Sequence, residues 1–191
     1  MVRKFVAVLF ALALIGASVS AAQVSIGVGG QYLSLGGDDF TDIDAGFGVE
    51  GNVMFPVGQS IKLGASAQWS THGITGASEK FKVLGVLAEG RYLFTMAGKA
   101  TPYVGARAGW AQYSVSSGGS TAKATAIPFG GGVGVMIAMT PTLGIDLNAM
   151  YHTVSFGNAK VDGTEISGTE AKGTGLQIRA GVNFKLGGGS M

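Results

Sequence analysis

From residue 23 to residue 186, apolar residues return at every second position, segment after segment, and no helical period takes hold. A two-residue period sends successive side chains to opposite faces of a strand. Eight segments carry it. Residues 23–35 set Val24, Ile26, Val28 and Tyr32 against Ser25, Gly27, Gly29 and Gln31. Residues 46–55 set Phe47, Val49, Val53 and Phe55 against Gly48, Glu50 and Asn52. Residues 60–70 set Ile61, Leu63, Ala65, Ala67 and Trp69 against Lys62, Gly64, Ser66 and Gln68. Residues 81–94, the least regular, oppose Leu84, Val86, Ala88, Tyr92 and Phe94 to Gly85, Glu89 and Arg91. Residues 103–115 oppose Val104, Ala106, Ala108 and Trp110 to Gly105, Arg107 and Gly109. In residues 126–138, Phe129, Val133, Val135 and Ile137 face away from Gly130, Gly132 and Gly134. Residues 143–154 and 175–186 complete the set, with Asp146, Asn148 and His152 on the polar face of one, and Gln177, Arg179, Asn183 and Lys185 on that of the other.

Two solvents are open to such strands. Asp, Glu, Lys and Arg make up 13% of the chain, against about 25% in a typical soluble domain. The polar face is mostly Gly, Ser, Ala, Asn and Gln, a poor exterior for a water-soluble barrel but a good filling for a narrow lumen. Beyond the leader no apolar run reaches the roughly 20 residues of a membrane helix. A closed barrel is then the way to satisfy every backbone group in lipid. The expected fold is all-β, an eight-stranded antiparallel transmembrane β-barrel over residues 23–186.

Residues 1–22 read as a cleavable signal peptide: basic Arg3 and Lys4, an apolar run over residues 5–17, then Ser18-Val19-Ser20-Ala21-Ala22. Gly187-Gly188-Gly189-Ser190-Met191 reads as a flexible tail. Short connections at Pro56, Lys99 and Pro141 alternate with longer polar stretches at residues 36–45, 70–80, 116–125 and 155–174. Outer-membrane barrels place short turns in the periplasm and longer loops outside. The same register predicts an aromatic girdle of Tyr32, Trp69, Trp110 and Tyr151 near the loops and of Tyr92, Phe94 and Phe184 near the turns.

The inward face carries Glu50, Lys62, Glu89, Arg91, Arg107, Asp146 and Arg179. Buried charges must be paired, so a lumenal charge network is expected, one that plugs the barrel. A net charge of +2 without a basic aromatic stripe points to no nucleic acid. The chain has no Cys, which excludes disulfides and thiolate chemistry. No metal site or cofactor is expected. Asp38, Asp39, Asp42 and Asp44 lack the spacing of a calcium loop and read as a solvated acidic loop. Gly130-Gly131-Gly132-Val133-Gly134 is no nucleotide loop, since no helix follows.

With its leader, its opening Gln23-Val24-Ser25-Ile26-Gly27-Val28-Gly29-Gly30, its Pro102-Tyr103-Val104-Gly105-Ala106 strand start and its Gly-rich sixth segment, the mature chain resembles the OmpX/OmpW/OmpA-like outer-membrane β-barrel superfamily. The resemblance implies a monomer in the bacterial outer membrane. Its partners would be outer-membrane lipid and lipopolysaccharide, with the barrel-assembly machinery engaged during biogenesis. Members usually end in an aromatic residue. Here Phe184 stands two positions before the end of the last segment. Relatives include adhesins, small-molecule channels, structural anchors and lipid-modifying enzymes, so fold does not fix function. A lipid A deacylase of this fold class uses Ser, His and Glu, with Ser and His two apart on one strand. His152, Ser155 and Glu165 match it loosely, and their spacing of three turns Ser155 to the other face. His72 falls in an expected loop. The expected function is a non-enzymatic structural or surface-interaction protein. A narrow porin-like channel for small or hydrophobic solutes and a lipid A-modifying hydrolase are the alternatives.

Overall fold

The computed structural model describes residues 24–37, 40–94, 96–169 and 171–186. The leader, Asp38, Asp39 and the C-terminal tail lie outside them. Ten strands follow one another: β1 (Val24–Gly36), β2 (Gly46–Val57), β3 (Ile61–Ile74), β4 (Ala77–Leu93), β5 (Ala100–Ser117), β6 (Ser120–Ala138), β7 (Leu143–Phe156), the short β8 (Ala159–Val161) and β9 (Thr164–Ile166), and β10 (Ala171–Leu186). The long strands pair antiparallel in the order β5-β4-β3-β2-β1-β10-β7-β6, and the β5–β6 pairing closes the ring. This is the expected eight-stranded barrel. No edge is left open to lipid.

The period-two pattern sets the wall. Val28, Val49, Leu84, Val133, Leu147 and Ile178 point outward, exposed on the barrel surface, while Gln31, Glu50, Gln68, Glu89, Asn148 and Gln177 are buried in the lumen. Small inward residues let the wall curve tightly around so few strands. A Cβ on Gly130 would sit 1.9 Å from the Tyr151 carbonyl, and one on Gly132 2.0 Å from that of Ala149. The β5–β6 ladder breaks only between Ala108↔Phe129 and Ala111↔Ala126, where Pro128 has no N–H to donate.

Two of the expected loops are strands. β3 and β4 continue until they meet at a Thr75-Gly76 turn, with a register shift between His72 and Ile74 and Gly76 at φ 77°. β5 and β6 run to Gly118-Gly119, both at positive φ, as a two-residue hairpin turn requires. The segments at residues 70–80 and 116–125 are therefore hairpin arms. A bilayer needs about 9–11 residues per tilted strand, and β5 and β6 have 18 and 19. Their tips stand well clear of the membrane band, where no lipid demands an apolar face and the alternation that marks a strand fades. The last connection is also structured: β8 and β9 form a small hairpin whose Ala122↔Val161 and Lys123↔Lys160 pairs dock it on β6.

The aromatic residues occupy both rims of the outer wall. Tyr32, Trp69 and Tyr151 near the loops, and Tyr92, Phe94 and Phe184 near the turns, are all exposed there. Tyr32 meets Phe47 edge-on at 5.5 Å, and Tyr92 meets Phe94 at 5.3 Å. Trp110 lies on the outer wall opposite Val86 and is half-buried.

Candidate functional site in the barrel lumen

Six of the seven inward charges expected from the sequence meet in one closed circuit. Glu50 on β2 accepts from Arg107 Nη1 at 2.9 Å. Arg107 on β5 reaches on with Nη2 to Glu89 on β4, 3.1 Å away. Glu89 accepts from Arg91 Nε at 2.6 Å, and Arg91 Nη1 donates to Asp146 on β7 at 2.8 Å. Asp146 also accepts from Arg179 Nη1 on β10 at 3.0 Å. Arg179 Nε lies 3.3 Å from Glu50 Oε1 and closes the ring. That last contact is an ion pair without hydrogen-bond alignment, since neither atom has a hydrogen-bond partner. Acid and base alternate, so every ion touches two of opposite sign.

These side chains are excluded from solvent, with Glu50 and Asp146 at 0% exposure and Arg179 at 1%. Ions so buried lose their hydration and must regain it from partners. Gln177 supplies part, donating to Glu50 at 2.8 Å and accepting from Arg107 at 2.9 Å. The Tyr103 hydroxyl donates to Asp146 Oδ1 at 2.8 Å, and its ring lies 4.6 Å beneath the Arg91 guanidinium, a cation–π stack. Guanidinium suits the task, because its planar fork can serve two carboxylates at once.

Lys62 is the exception. It faces inward as expected, directly opposite Arg91. Among the described residues it joins none of the ion pairs. Both Asp146 oxygens are already taken, and Lys62 stays at the turn end of the lumen.

The loop end is filled differently, and here the Gly-rich, polar lumen expected from the sequence is corrected. Val83, Tyr113, Val154 and Phe156 point inward and form an apolar cluster with Ala111 and Ala126. Phe40, from the β1–β2 connection, caps it. Its ring lies 5.2 Å from Phe156 and 6.3 Å from Phe81, and Tyr113 meets Phe156 at 4.7 Å. Leu87 and Met150 carry apolar packing deeper into the barrel. The irregularity of the fourth segment was the available signal, since Val83 and Leu87 break its outward-apolar rule.

His72 lies in β3, facing inward, instead of in a loop. Its Nε2 is 3.0 Å from the Ser70 hydroxyl and its Nδ1 is 3.1 Å from the Asp44 carbonyl. The donor on Nδ1 fixes the acceptor on Nε2, so the hydroxyl donates to it. Sequence reasoning passed over this pair, although residues two apart on a strand share a face. Both are buried beside the apolar cluster, opposite Val83 and Phe81, where the pair pins the β1–β2 connection to β3. With it act the Ile43↔Ile74 bridge and the Thr75 hydroxyl, which donates to Asp44 Oδ1 at 3.3 Å. His152 is buried in the lumen, whereas Ser155 is exposed on the outer side. Glu165 bonds Asn158 and pairs with Lys160, so His152, Ser155 and Glu165 do not form a triad. Among the described residues no three His, Asp or Glu converge as a metal site.

No curated protein matches the chain in sequence. Solved structures do match it in fold. Neisserial surface protein A superposes with a TM-score of 0.71 at 21% identity, over 87% of this chain and 98% of its own. Ail, the attachment invasion locus protein of Yersinia pestis, gives 0.58 at 14% identity, over 86% and 99%. A major outer membrane protein of Thermus thermophilus gives 0.59 at 16%, over 87% and 100%. The family model described as outer membrane protein beta-barrel domain matches residues 6–184, and with its closed eight-stranded wall and apolar, aromatic-rimmed exterior the chain belongs to that family of the bacterial outer membrane.

Proposed function

We propose that this protein is a non-conducting outer-membrane barrel with a structural or surface-interaction role. The observation that carries this reading is the double filling of the lumen. A charge-balanced ring ties β2, β4, β5, β7 and β10 together across the bore. Above it, aromatic side chains close the loop end. An ion entering would have to part a ring whose members each hold two partners, at a cost of several kcal/mol. The test is planar-bilayer recording of the refolded, purified protein. No discrete openings are expected, and reproducible single-channel steps would overturn the reading in favour of a narrow channel.

A second observation bears on what the surface meets. Lys82, Ser114 and Lys123 stand in one register row across β4, β5 and β6, and Lys160 of β8 continues it. The row lies on the outer side toward the loop end. Lys160 shares its charge with Glu165 at 3.6 Å, while Lys82 and Lys123 have no acidic partner among the described residues. Such a collar, just beyond the loop-side aromatics, suits the phosphates of lipopolysaccharide. Ail has been solved with a heparin analogue, sucrose octasulfate, which is also a polyanion. The double variant Lys82→Gln/Lys123→Gln should bind lipopolysaccharide micelles severalfold more weakly, with a shallower salt dependence. Unchanged binding would remove the collar from the reading.

A further inference from the structure

We propose that the short-turn mouth of the barrel is a binding site for a phosphate-bearing anion, held by Lys62, Lys99 and Lys185. A cavity of about 240 Å³ opens there. These lysines line it together with Ser25, Thr101 and Asn183, and no Asp or Glu lines it. The remaining walls are apolar side chains and backbone. A chain that needed only a plug would place neutral or paired groups in this position.

The charge count makes the point sharper. The lumenal ring holds Glu50, Glu89 and Asp146 against Arg91, Arg107 and Arg179, so it is neutral in itself. Nothing in it is left over for Lys62, which faces Arg91 directly across β3 and β4. Like charges directly opposite on one face of a sheet repel. Lys185 and Lys99 add to the same sign, and neither has an ion-pair partner among the described residues. An anion in the cavity removes this repulsion.

The cationic groups are carried on fixed backbone. Lys62 pairs with Pro56 as well as Arg91. Lys185 pairs with Ser25, and its N–H donates to the Thr142 carbonyl at 2.8 Å. The Lys99 carbonyl accepts from the Ala138 N–H at 2.8 Å. Three lysines arriving from separate segments at one cavity match an anion that offers several oxygens in a tetrahedron better than a single-point charge. A water takes about 30 Å³ in the liquid, so the cavity has room for a phosphate group with some of its hydration. Free phosphate and the phosphate of an inner-leaflet lipid share this chemistry.

The test uses the full mature chain in maltoside micelles, which contain no phosphorus. Inorganic phosphate is titrated and followed by ³¹P NMR line width, and phosphatidylglycerol is then added to the micelles. Saturable phosphate binding is expected. It should weaken at least tenfold in Lys62→Gln/Lys185→Gln and stay unchanged in Lys172→Gln, which alters an exposed lysine at the loop end of β10. Displacement of phosphate by phosphatidylglycerol identifies a lipid as the source, and persistence identifies the free ion; either outcome supports the site. Heat-modifiable gel migration checks folding. Should the double variant not fold, Lys99→Gln on its exposed turn provides the reading, with about a threefold weakening. No saturable effect from either probe, or equal binding by the mouth variants and the parent chain, overturns the proposal. Bilayer conductance plays no part in this test, so it can fail while the sealed-lumen reading stands.

Discussion

Arg107 and Glu50 are 57 residues apart in the chain and 2.9 Å apart in the lumen. The same guanidinium serves Gln177 and Glu89. Arg107→Ala would therefore leave the buried Glu50 and Glu89 sharing the remaining bases. Removing one partner of a buried ionic group costs about 3–5 kcal/mol, and that loss is expected here. Urea unfolding in lipid vesicles, followed by heat-modifiable gel migration, measures it. Arg107→Lys should recover only part of the loss, because an ammonium lacks the planar fork. An Arg107→Ala barrel as stable as the parent would mean that the ring contributes nothing to the fold.

The inward glycines of β6 make a second prediction. A Cβ at Gly134 would lie 2.4 Å from Tyr103 Cζ and 2.5 Å from its hydroxyl oxygen. Gly134→Ala must push the ring aside, drawing the hydroxyl from Asp146 and the ring from under Arg91. Overpacking of this kind costs about 1–3 kcal/mol. Gly30, on the outer wall, has nothing within 4 Å of the same position. Gly30→Ala should be neutral or stabilise by up to about 1 kcal/mol, since glycine is poor in strand interiors. The same unfolding assay compares them, and equal effects would contradict the packing described.

Much of this was legible in the sequence because a barrel wall has one simple rule. Parity along each segment placed Glu50, Glu89, Arg91, Arg107, Asp146 and Arg179 inward, and all six are buried there. Parity gives direction, though, and says little about height. Lys62 points inward correctly, yet it sits too near the turns to share the ring. The apolar cluster was hidden for a related reason. Tyr113, Val154 and Phe156 look like lipid-facing residues in composition, and only their parity reveals them as lumenal. The hairpin arms beyond the membrane were hidden because their ladders are held by backbone hydrogen bonds, which need no apolar alternation. The link between Ser70, His72 and Asp44 joins β3 to a connection 28 residues earlier, a separation that no local pattern encodes.

Phe40 tests the apolar cap separately from the ring. It is the member of the cluster contributed by the β1–β2 connection, and it packs on Phe81 and Phe156. Phe40→Ala removes that anchor while leaving the strand ladders intact. The connection then keeps the Asp44 and Thr75 contacts and the Ile43↔Ile74 bridge. Proteinase K applied to intact cells should cut within residues 37–45 several times faster than in the parent protein. The barrel's gel mobility should not change. Equal cutting rates would show that Phe40 does not hold the connection.

The β8–β9 hairpin carries a prediction about pH. Asp162 stands at φ 48° beside Gly163 at φ 90°, an Asp-Gly pair suited to a two-residue turn. Its carboxylate accepts the Thr121 N–H at 2.8 Å, and its own N–H donates to the Thr121 carbonyl at 3.1 Å. The Thr121 N–H, with help from the Ser120 side chain, holds the carboxyl below its ordinary value of 3.8. A lowered value in the folded state means that the charged form favours docking. Its contribution is complete well above pH 4, begins to fade as the pH falls toward the ordinary value, and is gone below the lowered one. Amide exchange at Thr121, corrected for the intrinsic pH dependence, should therefore speed up relative to mid-strand amides as the pH drops from 5 to 3. Asp162→Asn keeps an acceptor oxygen and a residue tolerant of the left-handed turn, so its exchange should be flat across that range. Asp162→Ala should exchange fast throughout. A parent protein with no change between pH 5 and 3 would show that this carboxylate does not hold the hairpin to β6.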